Sequence, residues 1–167
     1  LQSRGLGDVY KRQGYGLSYT EFEQKMGELE EKDGQISVDV EVTNTGDVAG
    51  KDVVEVYYKP PYTNGGIEKS SANLIEFAKT DLLQPGESQT VTVTFSIEDM
   101  ASYDENNAKA YVLEKGDYVI SINSDSHTVL DQKTYTADKD VVYKGENKRA
   151  SDDTAATNVF ELSLIHI

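Results

Sequence analysis

Apolar and polar residues alternate with a period of two along most of this chain. Ile36, Val38, Val40 and Val42 are separated by Ser37, Asp39 and Glu41, the pattern of a strand with one dry and one wet face. Asn44-Thr45-Gly46-Asp47 supplies a turn in which Gly46 is free to take positive φ. Val53 to Tyr58 reads as the next strand, with Val54, Val56 and Tyr58 on one face and Val53 and Tyr57 on the other, so that both faces are expected to be buried. Pro60-Pro61 ends it, because proline cannot donate to a ladder, and Tyr62 to Gly66 is loop. Leu74, Ile75 and Phe77 mark a short strand before Gln84-Pro85-Gly86-Glu87, which has proline and glycine where a type II turn wants them.

Val91, Val93 and Phe95 alternate with Thr90, Thr92 and Thr94, the cleanest repeat in the sequence. Glu98 to Tyr103 breaks the pattern and predicts a single helical turn. Ala110 to Val112, then Tyr118, Ile120 and Ile122, then Val129-Leu130 with a weak run at Thr134 to Thr136, complete the strands. About seven short strands, frequent turn signals and no long amphipathic helix predict an all-β fold, an antiparallel sandwich of the immunoglobulin or fibronectin type III kind, with a barrel as the alternative. Val38, Val40, Val93, Phe95, Ile120 and Ile122 lie on the apolar phase of their strands and are predicted to face one interior.

The ends do not match this middle. Residues 1–13 and 162–167 carry no periodicity that joins them to their neighbours and read as translated adapter sequence of the kind found in assembled metagenomic reads, so they are set aside from the fold. The divisions expected are a lead-in and first strand over 14–33, a sandwich over 34–136, and a charged, poorly patterned linker over 137–161.

Charge and composition then narrow the function. Sixteen basic against thirty acidic residues give −14, and setting Arg4, Asp8, Lys11 and Arg12 aside makes the remainder more acidic still. Such a field repels phosphate backbones, which argues against nucleic acid as a partner. No apolar run is long enough to suggest a membrane span. Without cysteine there are no disulfides, thiolate metal sites or cysteine nucleophiles, and two histidines leave little for a metal centre or a Ser-His-Asp triad, so neither metal nor cofactor is expected.

Carboxylate pairs such as Glu98-Asp99 and Asp104-Glu105 sit in turns, where acidic residues cap and solvate. Glycoside cleavage needs two carboxyls held across a cleft, and no catalytic residue is assigned. Asp104 to Asn107 lacks the spacing of a calcium loop, and Ser124-Asp125-Ser126-His127 lacks a nucleophile elbow. The chain has eleven tyrosines and no tryptophan. Tyr57, Tyr58 and Tyr62 cluster around the proline loop, where they either form a platform for sugar rings or fill sandwich edges and domain interfaces.

Several ordered motifs carry a resemblance. Gly14-Tyr15-Gly16-Leu17-Ser18-Tyr19-Thr20-Glu21-Phe22 resembles the segment leading into the fibronectin type III-like domain of family 3 glycoside hydrolases, the β-glucosidase and β-xylosidase group. Val42 to Val54, Tyr57-Tyr58 with Pro61-Tyr62, Leu74 to Thr80, Leu83 to Ser88 and Gly116-Asp117-Tyr118 are similar to that domain in the same order. The resemblance covers roughly residues 14–130. It implies a parent with a barrel carrying a nucleophilic aspartate and an α/β sandwich carrying the acid/base glutamate. The family's Ser-Asp-Trp nucleophile motif is absent, since there is no tryptophan, so no catalytic residue is carried over and the chain alone is expected to be inactive. The stretch Lys148 to Asn158 is similar to the segment before the barrel in members with permuted domains.

The resemblance thus implies an accessory domain of a soluble bacterial enzyme, cytoplasmic or exported with its parent. Its expected partners are the catalytic domains of the same chain and a β-glycoside at their rim. The candidates for domain contact or substrate rim are Tyr57, Tyr58, Tyr62, Asn64, Ile67 and Glu68 in and beside the loop from Pro60 to Lys69.

Overall fold

A computed structural model describes residues 14–156; the two ends read as adapter sequence lie outside the described residues. Ten strands run in chain order: β1 Phe22–Lys32, β2 Gln35–Asn44, β3 Val53–Lys59, β4 Asn73–Lys79, β5 Ser88–Ser96, β6 Ser102–Asp104, β7 Ala110–Leu113, β8 Gly116–Asp125, β9 Thr128–Ala137 and β10 Val141–Tyr143. One 3₁₀ turn, Ile97–Met100, sits where the sequence breaks its alternation. The strands form an antiparallel sheet β1-β2-β5, a second antiparallel sheet β4-β3-β8-β9, and a small third sheet β10-β7-β6.

The period of two decides which side chains meet. Ile36, Val38, Val40 and Val42 of β2 are all buried, beside Val91, Val93 and Phe95 of β5. Val54, Val56 and Tyr58 of β3 with Tyr118, Ile120 and Ile122 of β8 complete the same core. The six residues predicted to share an interior do so. This is a sandwich: two sheets bury one face each against the other.

Ten strands replace the expected seven or so. The additions are mainly the three-residue β6 and β10, too short for any periodicity to register. Val129-Leu130 and Thr134 to Thr136 belong to one ten-residue edge strand, whose largely exposed side chains left only a weak pattern. The charged stretch read as a linker contributes β10, which pairs with β7, and beyond it Arg149 stacks over the Tyr111 ring at 3.6 Å.

Two turns are decided by glycine, for different reasons. Gly86 takes φ +79° in a Gln84–Glu87 turn closed by a 2.9 Å bond from Glu87 N–H to the Gln84 carbonyl, as the Pro-Gly pair predicts. Gly46 does not take positive φ; it is needed because a Cβ there would meet Thr20 Oγ1 at 2.2 Å and the Glu21 nitrogen at 2.7 Å.

Candidate functional site

The loop between β3 and β4 is held at its base and open at its tip. Pro61 lies against Gly116, whose φ of +141° and missing side chain allow the approach; a Cβ there would come within 3.0 Å of the proline ring. Lys69 is the anchor. Its side chain is 3% exposed, its Nζ donates to the Pro61 carbonyl at 2.6 Å, and it pairs with the Glu114 carboxylate. Asn73 Nδ2 closes the base by donating to the Ser70 carbonyl at 3.0 Å. Between these fixed points Thr63 to Gly66 forms a tight turn, with Gly65 at φ +81° and the Gly66 N–H bonded to the Thr63 carbonyl at 2.9 Å. A loop this long, fixed at both feet, presents its tip in a defined place, the usual arrangement for a recognition loop.

The six candidates do not share one surface. Tyr58 points into the sandwich core with Val54 and Val56, and burial raises its pKa. Tyr57, one residue earlier, lies on the opposite face of β3 and is also buried. Its hydroxyl donates to Glu55 Oε2 at 3.0 Å; burial first, then that carboxylate, push its pKa up to about 12. Tyr62 is exposed and donates to Glu68 Oε1 at 3.3 Å, bracing the two sides of the loop. Asn64 is exposed at the loop tip. Ile67 and Glu68 border a 290 Å³ hollow shared with Tyr103 to Asn106. The loop therefore brings Tyr62, Ile67 and Glu68 together, carries Asn64 at its exposed tip and leaves Tyr57 and Tyr58 elsewhere, so no three-tyrosine platform forms.

The acidic turns are used by the backbone. Asp104 accepts N–H bonds from Asn106, Asn107 and Ala108 at 2.9–3.1 Å. These amides, Ala108 first, lower its pKa, so its contribution to stability is present above the ordinary aspartate range and fades as the pH falls through the lowered value. Asp125 Oδ1 likewise accepts from the His127 and Thr128 N–H groups, while Ser126 Oγ lies 2.7 Å from His127 Nδ1 in the same tight turn. Both motifs behave as turn caps.

Sequence reasoning missed Lys69 and Tyr103. A lysine in a polar loop gives no sign that it will be buried against a carbonyl. Tyr103 closes the hollow beneath Ile67, and its hydroxyl is buried without a hydrogen-bond partner among the described residues.

The raised tyrosine hydroxyls set an alkaline limit. An unfolded tyrosine releases its proton near pH 10, whereas folded Tyr57 holds it to about 12, so the unfolded state is favoured progressively across that interval. The expected result is a fall in urea midpoint from pH 10 to 12, and Tyr57→Phe should flatten part of it. An identical slope in the variant would exclude Tyr57 as a source.

Residues 52–126 match the fibronectin type III-like domain family. The chain is 35% identical over 133 residues to a β-glucosidase of Kluyveromyces marxianus, covering 79% of this chain and 15% of that one. It is 39% identical over 129 residues to a β-glucosidase of Ruminococcus albus, covering 75% and 13%. Among solved structures, β-glucosidase 3B from Thermotoga neapolitana in complex with α-D-glucose superposes with a TM-score of 0.71 at 34% identity, over 79% of this chain and 18% of that one. The chain thus spans less than a fifth of the length of the proteins it matches. The sandwich is a fibronectin type III-like domain that matches a segment of β-glucosidases.

Proposed function

We propose that this fibronectin type III-like sandwich is the accessory domain of a longer family 3 glycoside hydrolase that cleaves β-glucosides, where it holds the catalytic domains together and sets part of the substrate entrance. The observation that carries this reading is the fit of one compact fold, at over a third identity, to less than a fifth of each β-glucosidase chain. The chemistry of its carboxylates agrees. The carboxylates of Asp104 and Asp125 are occupied by backbone amides, and a retaining glycosidase needs a nucleophile and an acid/base facing each other at about 5 Å.

Within that role the loop tip is one contact to the rest of the enzyme. Its base is fixed by Lys69 and Pro61, so Tyr62, Asn64, Ile67 and Glu68 can be held against a catalytic neighbour or at the rim of its cleft without an entropic cost of ordering a long loop. Deleting Asn64 to Ile67 from the longer enzyme tests this. The expected result is a fall in kcat/KM on aryl β-glucosides by at least about tenfold, equivalent to ~1.4 kcal/mol of transition-state stabilisation, while the isolated domain still folds. Unchanged kinetics on every glycoside tried would remove the loop from the proposal. Release of nitrophenol by the purified 167-residue chain, abolished by mutating one Asp or Glu, would overturn the accessory reading itself.

A further inference from the structure

The two outer faces of the sandwich differ in kind. On β1-β2-β5 every outward position of β2 and β5 is polar, and the side chains bond across the strands: Ser37 with Thr94 at 2.8 Å, Thr43 with Ser88 at 2.7 Å, and Thr92 to Asp39 at 2.6 Å. That face is finished for water. On β4-β3-β8-β9 the outward positions include Leu74, Phe77, Val119 and Val129, and Phe77 is 62% exposed. Among them sits Asn123, 3% exposed, whose Oδ1 has no hydrogen-bond partner among the described residues. A buried amide oxygen without a donor costs free energy unless something supplies one.

The lead-in crosses this same face. Gly14 lies so close to Glu55 that a Cβ would meet the carboxylate at 2.3 Å. Gly14, Gly16 and Leu17 wall a 410 Å³ groove whose other side sets Val53 and Leu130 among charged residues such as Glu55 and Lys79. Asn123 also borders a second groove of 290 Å³ beside Tyr57 and Val129. From the lead-in, Leu17 lines this groove and is 90% exposed, so a large apolar side chain continues from the sheet onto the segment that runs along it. Large exposed apolar side chains set among Glu55, Lys79 and Asn123 give this face the mixed composition of a protein interface.

We propose that this face, from Leu17 across to Leu74, Phe77 and Val129, is the seat of a neighbouring domain of the same longer chain. The domain seated there presents an apolar surface to these exposed side chains. The assignment rests on the accessory-domain reading and says which side of the sandwich carries it. Three observations choose this occupant. In the matched proteins more than four-fifths of the chain lies outside this segment, so a same-chain neighbour is present at high effective concentration. A second copy of this chain would bring two bodies of net charge −14 together, a repulsion that a tethered neighbour need not share. The exposed apolar groups are leucine, valine and phenylalanine, which suit another protein's apolar surface better than the hydroxyl-rich faces of a sugar.

The test compares three forms of the longer enzyme: Leu17→Lys with Phe77→Lys, Thr90→Lys on the opposite outer face, and a deletion of residues 14–156. The double variant should shorten the half-life of thermal inactivation about tenfold or more and split one unfolding transition into two, while Thr90→Lys changes neither. In the isolated 167-residue chain the double variant should melt at the parent temperature, because both side chains are already in water. If the double-lysine enzyme fails to accumulate, Phe77→Thr gives the same comparison, with a smaller loss expected. A destructive deletion beside a silent double variant would overturn this face while leaving the accessory reading intact. A silent deletion would overturn both. A dimer of the isolated chain that the double variant dissolves would make a second copy the occupant and overturn the proposal.

Discussion

Phe95→Ala lowers the unfolding free energy of this domain by about 3–5 kcal/mol, the cost of an emptied aromatic site in a close-packed core. Phe95 is 5% exposed on β5, directly paired with Ile36, and packs in the cluster that includes Val38, Val93 and Ile122. More than half of that cluster is valine and isoleucine, mostly in paired strands, whose stiff side chains and laddered backbones resist collapse into the void. The adjacent Thr94 points the other way, to the hydroxyl ladder with Ser37, so Thr94→Ala should cost less than about 1 kcal/mol. Urea denaturation checks both: the midpoint should fall steeply for Phe95→Ala with an unchanged m-value and hardly at all for Thr94→Ala. A loss below about 1 kcal/mol at Phe95 would mean that the interior lies on the other face of β5.

That contrast within one strand shows what the sequence makes legible. Where one face is buried and the other wet, as in β2 and β5, alternation dictates both the strand and its orientation, because a one-residue slip would exchange the faces. The same parity separates Tyr57 from Tyr58, so a platform using both was already at odds with the period of β3. Legibility fails where burial is not periodic. β10 is three residues long, and it holds by pairing with β7 and by the packing of Arg149 on Tyr111. The site was legible as a loop and not as a geometry. Two prolines and two glycines announce Pro60 to Lys69, but the Lys69–Glu114 pair joins residues far apart in sequence, and nothing local foretells it. The apolar outer face escaped for a related reason. Leu74 and Phe77 of β4 and Val129 of β9 each read as core until the register shows them pointing outward.

Asn44→Asp should destabilise the domain more than Asn44→Ala does, and more at pH 7 than at pH 4. Asn44 is fully buried at the end of β2, where it ties four segments together. Its Oδ1 accepts from Thr20 Oγ1 at 2.8 Å and from the Gly46 N–H at 3.1 Å; its Nδ2 donates to the Val48 carbonyl at 2.8 Å and the Leu83 carbonyl at 2.9 Å. Alanine removes all four bonds but leaves no charge, for an expected loss of about 2–4 kcal/mol from stranded buried partners. Aspartate keeps the shape and the two accepted bonds, yet aims a carboxylate at two carbonyl oxygens in a dry site. Burial and those oxygens both disfavour the charged form, so the folded-state pKa of the introduced acid is raised above its unfolded value. The sign follows: the penalty is smallest at low pH, where the protonated acid can donate to one carbonyl, and grows as the pH rises through the unfolded pKa. Urea midpoints of parent and both variants at pH 4 and 7 measure this, with the Asp-minus-Ala difference as the readout, because the parent's own acid sensitivity cancels from it. A difference that stays constant between the two pH values would show that the side chain at position 44 meets water, and that the Asn44 clasp does not hold the lead-in to the sandwich.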